Sequence, residues 1–145
     1  MNPTVLNLTG SSGVGKSYFL EKFRDSNPGS IQILTPAIQG EKFSSHAIDW
    51  DGHAGVALDE VLKWDRTSLV EGVAALEVYA QQHDKILILV TQHDKDLEIA
   101  GVQLRTIPIK VCLHGRQESI DLSYDGRHLR FSAIAKDVQE ESQVR

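Results

Sequence analysis

The chain has 145 residues, 41% of them hydrophobic and 24% charged, the composition of a single globular domain, which excludes a disordered or collagen-like polymer. Fifteen Lys and Arg against twenty Asp and Glu give a formal charge of −5, so bulk positive charge is not what would hold this protein on nucleic acid. No apolar run approaches the roughly 18–20 residues of a membrane span, no basic leader precedes the first strand pattern, and Cys112 is the single cysteine; a cytoplasmic protein of a reducing compartment is the expectation.

In chain order, residues 4–9 (TVLNLT) are apolar and β-branched and run into the cluster GSSGVGKS, a strand followed by a loop. From Lys16 the apolar positions Phe19, Leu20 and Phe23 fall at helical spacing until Asn27-Pro28-Gly29 stops them. Residues 30–34 alternate like a second strand. Residues 35–54 show no sustained period and are expected to be mainly loop, with room for one short helix. Residues 55–58 (GVAL) form a continuous apolar run ending in Asp59-Glu60, which suits a buried central strand with two acids at its carboxyl end. Ser68-Leu69-Val70-Glu71 reads as a capping box opening a helix to about Gln82, with Leu69, Val73, Leu76 and Ala80 on its inner face. Residues 85–91 (KILILVT) are the most apolar strand, and residues 94–101 leave room for one helical turn. Residues 106–113 form a fifth strand with Pro108 near a sheet edge. Residues 119–124 and 127–132 flank Asp125-Gly126, a type I′ hairpin signal. The division expected is a domain over residues 1–135 and a polar tail over 136–145.

One motif carries chemistry. Gly10-Ser11-Ser12-Gly13-Val14-Gly15-Lys16-Ser17 satisfies GxxxxGK[ST] in full, between a strand and a helix. Chance would place that pattern in a chain of this length on the order of once in 200. Its glycines let successive amides turn inward onto phosphate, the helix N-terminus adds positive field, Lys16 would reach the β- and γ-phosphates from an exposed position on the loop, and the Ser17 hydroxyl would ligate Mg²⁺. The metal needs a second anchor at a neighbouring strand end, for which Asp59 is the candidate, and Glu60 beside it would polarise the attacking water. Gln92, ending the next strand, would sense the γ-phosphate or orient the water. At the ends of these three elements that carry the candidate residues there is no cation besides Lys16, so an arginine from a neighbouring subunit is expected to complete the site; Arg66, Arg105, Arg116, Arg127 and Arg130 are the candidates, with Arg105 first. Six scattered histidines form no HExxH and no Cys/His pairing, so no metal besides Mg²⁺ is expected. Trp50 and Trp64 are assigned to packing.

With GSSGVGKS, ALDE and LVTQ in line, the chain resembles the P-loop NTPases of the additional-strand, catalytic-glutamate class. Within it, LNLTGSSGVGKSYFL, GVALDEV and LILVTQ followed by an arginine near position 105 are similar to stretches of the zonula occludens toxin-like ATPases of filamentous phages and of DNA-pumping motors. The resemblance implies an α/β, three-layer fold with a mainly parallel five-stranded sheet, here followed by a C-terminal β-hairpin, in which the LVTQ strand lies between the strand before the glycine loop and the acid-bearing strand. It further implies ATP with Mg²⁺ as ligands, Lys16 and Ser17 on phosphate and metal, Asp59 on the metal, Glu60 as general base and Gln92 as sensor. The leading function is an oligomeric ATPase driving movement or remodelling of a nucleic acid or protein in a mobile-element (phage or plasmid) or DNA-handling system. A small P-loop kinase and a slow nucleotide-gated regulator are the alternatives.

Overall fold

In the computed structural model, which describes residues 4–11, 14–36, 42–44, 48–93, 95–113 and 120–133, strand β1 (Val5–Thr9) runs between two partners of much later sequence. The order across the sheet is β2 (Ile31–Leu34), β3 (Gly55–Leu58), β4 (Ile86–Val90), β1, β5 (Ile109–Cys112). Every pairing is parallel, with Leu6 opposite Ile88 on one side and Ile109 on the other. Thus β4 separates β1 from β3, the position implied for the LVTQ strand. Pro108 lies just before β5, at the sheet edge, where its missing N–H costs no ladder bond.

Side-chain alternation divides the core between the two faces of the sheet. Leu6, Leu8, Ile86, Ile88 and Val90 bury one face against Phe19, Leu20 and Phe23 of helix α1 (Lys16–Ser26). Val5, Val56, Leu58, Leu87 and Leu89 bury the other against Leu69, Val73, Leu76 and Ala80 of helix α2 (Arg66–His83). A parallel sheet covered on both faces explains why GVAL and ILILV read as unbroken apolar runs. A short 3₁₀ turn (Val61–Lys63) and helix α3 (Asp96–Ile99) follow β3 and β4. Strands β6 (Ile120–Tyr124) and β7 (Leu129–Ala133) form a separate antiparallel hairpin, whose Leu122, Tyr124, Leu129 and Phe131 pack on the α1 face. The architecture is α/β in three layers. Among the described residues no helix is long and apolar enough to cross a membrane.

Two local expectations are corrected. Helix α2 starts three residues before the expected capping box: Asp65 is the N-cap, its carboxylate accepting the Ser68 N–H at 3.0 Å, while the Ser68 hydroxyl donates to the Asp65 carbonyl and accepts from the Phe43 N–H. Buried Trp64, just before the cap, and Leu69, four residues into the helix, belong to one cluster, the two positions of a hydrophobic staple around an Asp65 cap. The hairpin turn is centred one residue later than Asp125-Gly126. The Asp125 N–H meets the His128 carbonyl, and the Asp125 carboxylate accepts the Arg127 and His128 amides, which leaves Gly126 and Arg127 at the centre. Only Gly126 has a positive φ there, 97°, the requirement of a type II′ turn and not of type I′.

Leu129 of the hairpin packs over Gly55 of β3, where a Cβ would lie 2.8 Å from Leu129 Cδ2 and 2.9 Å from the Ile86 carbonyl oxygen. Gly55→Ala is therefore expected to cost about 1–3 kcal/mol through overpacking, read as a lower urea midpoint at unchanged slope. The tail, 136–145, and residues 37–41 and 45–47 lie outside the described residues.

Candidate functional site

The carboxyl ends of β1, β3 and β4 converge on one cleft. At the end of β1 the Leu113 N–H bonds to the Thr9 carbonyl and the Thr91 N–H to the Leu8 carbonyl, and the chain leaves the sheet at Gly10. A side chain cannot stand at Gly10: φ is +150° and a Cβ would lie 2.7 Å from the Leu113 carbonyl oxygen. At Gly15 there is space for a Cβ, but φ is +96°, a left-handed conformation that favours glycine. Helix α1 then opens with neither a side-chain cap nor an acid in its first turn, so its first N–H groups and its positive dipole end remain available to an anion.

Lys16 is buried, not exposed as its sequence context led us to expect. Its ammonium folds back to donate to the Gly10 carbonyl and, at 3.2 Å, to the Ser11 carbonyl. A cation taken out of water needs such acceptors, and the loop carbonyls supply them. Burial lowers the Lys16 pKa below the ordinary lysine value, while the nearby carboxylates of Asp59 and Asp96 pull it back up. The next residue bridges the sequence: the Ser17 hydroxyl donates to Asp59 Oδ2 at 2.5 Å.

Asp59 is 8% exposed and fixed on three sides, since its Oδ1 accepts the Glu60 N–H at 2.7 Å and its carbonyl accepts the Trp64 indole N–H at 2.9 Å. Glu60 stands at φ 54°, ψ 51°, a left-handed conformation uncommon outside glycine. This turn directs the chain into the 3₁₀ segment and leaves the Glu60 carboxylate 43% exposed, 3.7 Å from the Lys63 ammonium. Just past β4, the Thr91 hydroxyl donates to Asn7 Oδ1 at 2.9 Å, a buried polar link to β1. Gln92 follows, with its N–H donated to the carboxylate of Asp96 at 2.8 Å.

Lys16, Ser17, Asp59, Glu60, Gln92 and Asp96 together line a cleft of about 530 Å³. The structure thus brings the lysine, the serine, both acids and the glutamine into one place. Arg105 is not among them: it is exposed, beyond the cleft, and its amide is held by the buried carboxylate of Glu77 on α2. Arg66 lies against Gly101, and Arg127 and Arg130 are on the exposed hairpin; among the described residues no arginine lines the cleft. Lys63 does line it, a cation beyond Lys16 that strand-by-strand reading had not placed there. Ser12, Gly13 and Arg116 lie outside the described residues, as do His46 and His114. Among the described residues no three His, Cys, Asp or Glu side chains are grouped to hold a metal. The tryptophans pack: Trp64 meets Phe43 edge-on and Trp50 stacks on Tyr79.

Three residues of the site had drawn no functional reading. Asn7 is a polar side chain at the middle of an otherwise apolar stretch of β1, an anomaly that asks for a partner, which Thr91 supplies. Asp96 follows Gln92 by four residues, a spacing at which a carboxylate reaches back to turn amides. Trp64 gives no local signal for its bond to Asp59, which arises only when the 3₁₀ turn folds. No protein-family model matches this chain, and no curated protein matches it either.

Proposed function

We propose that the chain is a P-loop ATPase of the additional-strand, catalytic-glutamate class, acting as an oligomeric motor or remodelling enzyme of a mobile-element or DNA-handling system. The observation that carries this reading is the Ser17–Asp59 hydrogen bond, which joins the end of the glycine loop to the end of β3 beside the Lys16 ammonium. Two hard oxygen donors so placed fit Mg²⁺, which commonly takes one or two protein ligands and completes its shell with phosphate and water. Ser17 and Asp59 would hold that ion, whose contribution when bound is to draw charge from the phosphates.

The protein groups supply the remaining chemistry. Loop amides between Gly10 and Ser17 would cradle the phosphates, and Lys16 would exchange its loop carbonyls for phosphate oxygens. Glu60, exposed beside the metal ligand, would accept the proton of the attacking water, with Gln92 orienting that water toward the γ-phosphorus. ADP and phosphate are the products. Steady-state ATP consumption with Mg²⁺, measured with and without DNA and with small phosphoryl acceptors, tests the assignment. Phosphate release is the expected result; transfer to an acceptor, or no ATP consumption under any condition, overturns it.

Charge developing on the γ-phosphoryl oxygens calls for a further cation, and Lys63 is engaged by Glu60. The proposal is therefore completed by an arginine from a second copy, with Arg105 first and Arg66 second, a contribution worth roughly 10³–10⁵ in rate where such a group acts in trans. Tyr18 and Leu62, 68% and 49% exposed, line the same cleft and offer a neighbouring copy apolar surface at its mouth. Sedimentation of the Glu60→Gln protein with ATP should show a species larger than a dimer, and wild-type activity should rise faster than linearly with protein concentration. A monomer with linear activity would sink the oligomeric part of the proposal.

A further inference from the structure

Asp96 is an acid in an unusual position, at the start of a helix one turn long and only 3% exposed. A single oxygen of its carboxylate, Oδ2, accepts the Gln92 N–H at 2.8 Å and the His93 N–H at 3.1 Å. Both bonds reach back to the residues that leave β4. Thr91, one residue earlier, is anchored to Asn7 on β1. The path on which Gln92 lies is thus held from behind by the Asn7–Thr91 pair and from ahead by Asp96. Helix α3 is itself seated, since Leu97 packs against the cluster containing Val61 and Trp64, which follow the two acids of β3. Gln92 and Glu60 therefore take their places from elements that rest on one another.

We infer that Asp96 is a positioning residue for Gln92: its carboxylate sets the backbone turn that presents the glutamine to the γ-phosphate end of the cleft. This role rests on the ATPase reading above. It acts through two amides, and one acceptor oxygen at the right place suffices. Asparagine offers that oxygen without the charge; alanine offers nothing. A misplacement of reacting groups by about 1 Å can cost on the order of 10²-fold in rate, which sets the scale of the effect.

The experiment measures kcat and KM for ATP in wild type, Asp96→Ala, Asp96→Asn, Gln92→Ala and the Gln92→Ala/Asp96→Ala double variant, with amide hydrogen exchange over residues 91–93 in each. Asp96→Ala should lose on the order of 10–10²-fold in kcat with KM little changed, and its Gln92 and His93 amides should exchange faster. Asp96→Asn should recover most of the loss in both readouts. Because Asp96 acts through Gln92, the double variant should be no slower than Gln92→Ala alone, within about twofold. Should the alanine chain not fold, Asp96→Ser, whose hydroxyl can serve only part of the carboxylate's task, takes its place with a smaller kcat loss.

Additive losses in the double variant, an unchanged kcat in the alanine or serine variant, or an asparagine variant as impaired as alanine would overturn the positioning role while leaving the ATPase assignment intact. A wild-type protein that neither binds nor hydrolyses ATP would overturn both.

Discussion

Glu60→Gln is expected to bind ATP with Mg²⁺ as tightly as the wild type and to hydrolyse it on the order of 10²-fold more slowly or worse, the contribution typical of a lost general base. The geometry isolates the effect. Glu60 contributes its backbone N–H to Asp59 and its carboxylate to exposed Lys63, so glutamine keeps the first bond and loses only a surface ion pair, an interaction of little worth. The left-handed backbone at position 60 is equally accessible to both side chains, which differ by one atom. Equilibrium binding of a fluorescent ATP analogue, paired with single-turnover hydrolysis, separates the two properties. A variant that hydrolyses at the wild-type rate would move the base elsewhere or remove hydrolysis from the proposal.

Lys16→Ala is expected to abolish measurable ATP binding and, in addition, to weaken the fold slightly. The second effect follows from the buried position of the ammonium. Removing it strips the donor from the buried Gly10 carbonyl, a loss of about 1–3 kcal/mol when an acceptor is left buried and unserved, while the exposed Ser11 carbonyl keeps the Val14 N–H. Thermal unfolding and nucleotide titration on the same sample give both numbers. Unchanged affinity in the folded variant would remove the phosphate-binding role of the loop.

The inner strands of the sheet were legible in the amino-acid sequence because a parallel sheet buried on both faces demands continuous apolar runs, as in GVAL and ILILV and, broken only by Asn7, in VLNL, whereas β2 at the edge showed as alternation. The gathering of the candidate residues was legible for a related reason: they stand where those runs end, and parallel strands place their carboxyl ends together. Less visible was whatever depends on partners distant in sequence. The burial of Lys16 depends on carbonyls of a loop whose path is set by Leu113 packed behind Gly10. The cap of α2 stands at Asp65, between Trp64 and Leu69 of one cluster, although Ser68 carried an equally good local motif. Asp96 had no local signature beyond its spacing, since a buried carboxylate and a solvated one look alike in sequence. The cation at Lys63 enters the cleft only through the left-handed turn at Glu60.

The strand order also bears on how the molecule is made. β1 is made before the other described strands yet pairs only with strands beginning at Ile86 and Ile109, and until β4 exists it has no neighbour in the sheet. The glycine loop hangs from the end of β1, so a nascent chain that already carries the whole glycine-loop sequence has no scaffold on which to shape it. Contacts spanning so much of the chain close slowly, and unpaired apolar strands are exposed meanwhile. The nucleotide proposed above would accordingly be a late ligand in biogenesis, one that seals an almost finished domain and draws the population toward it by mass action, with no part in guiding the early chain.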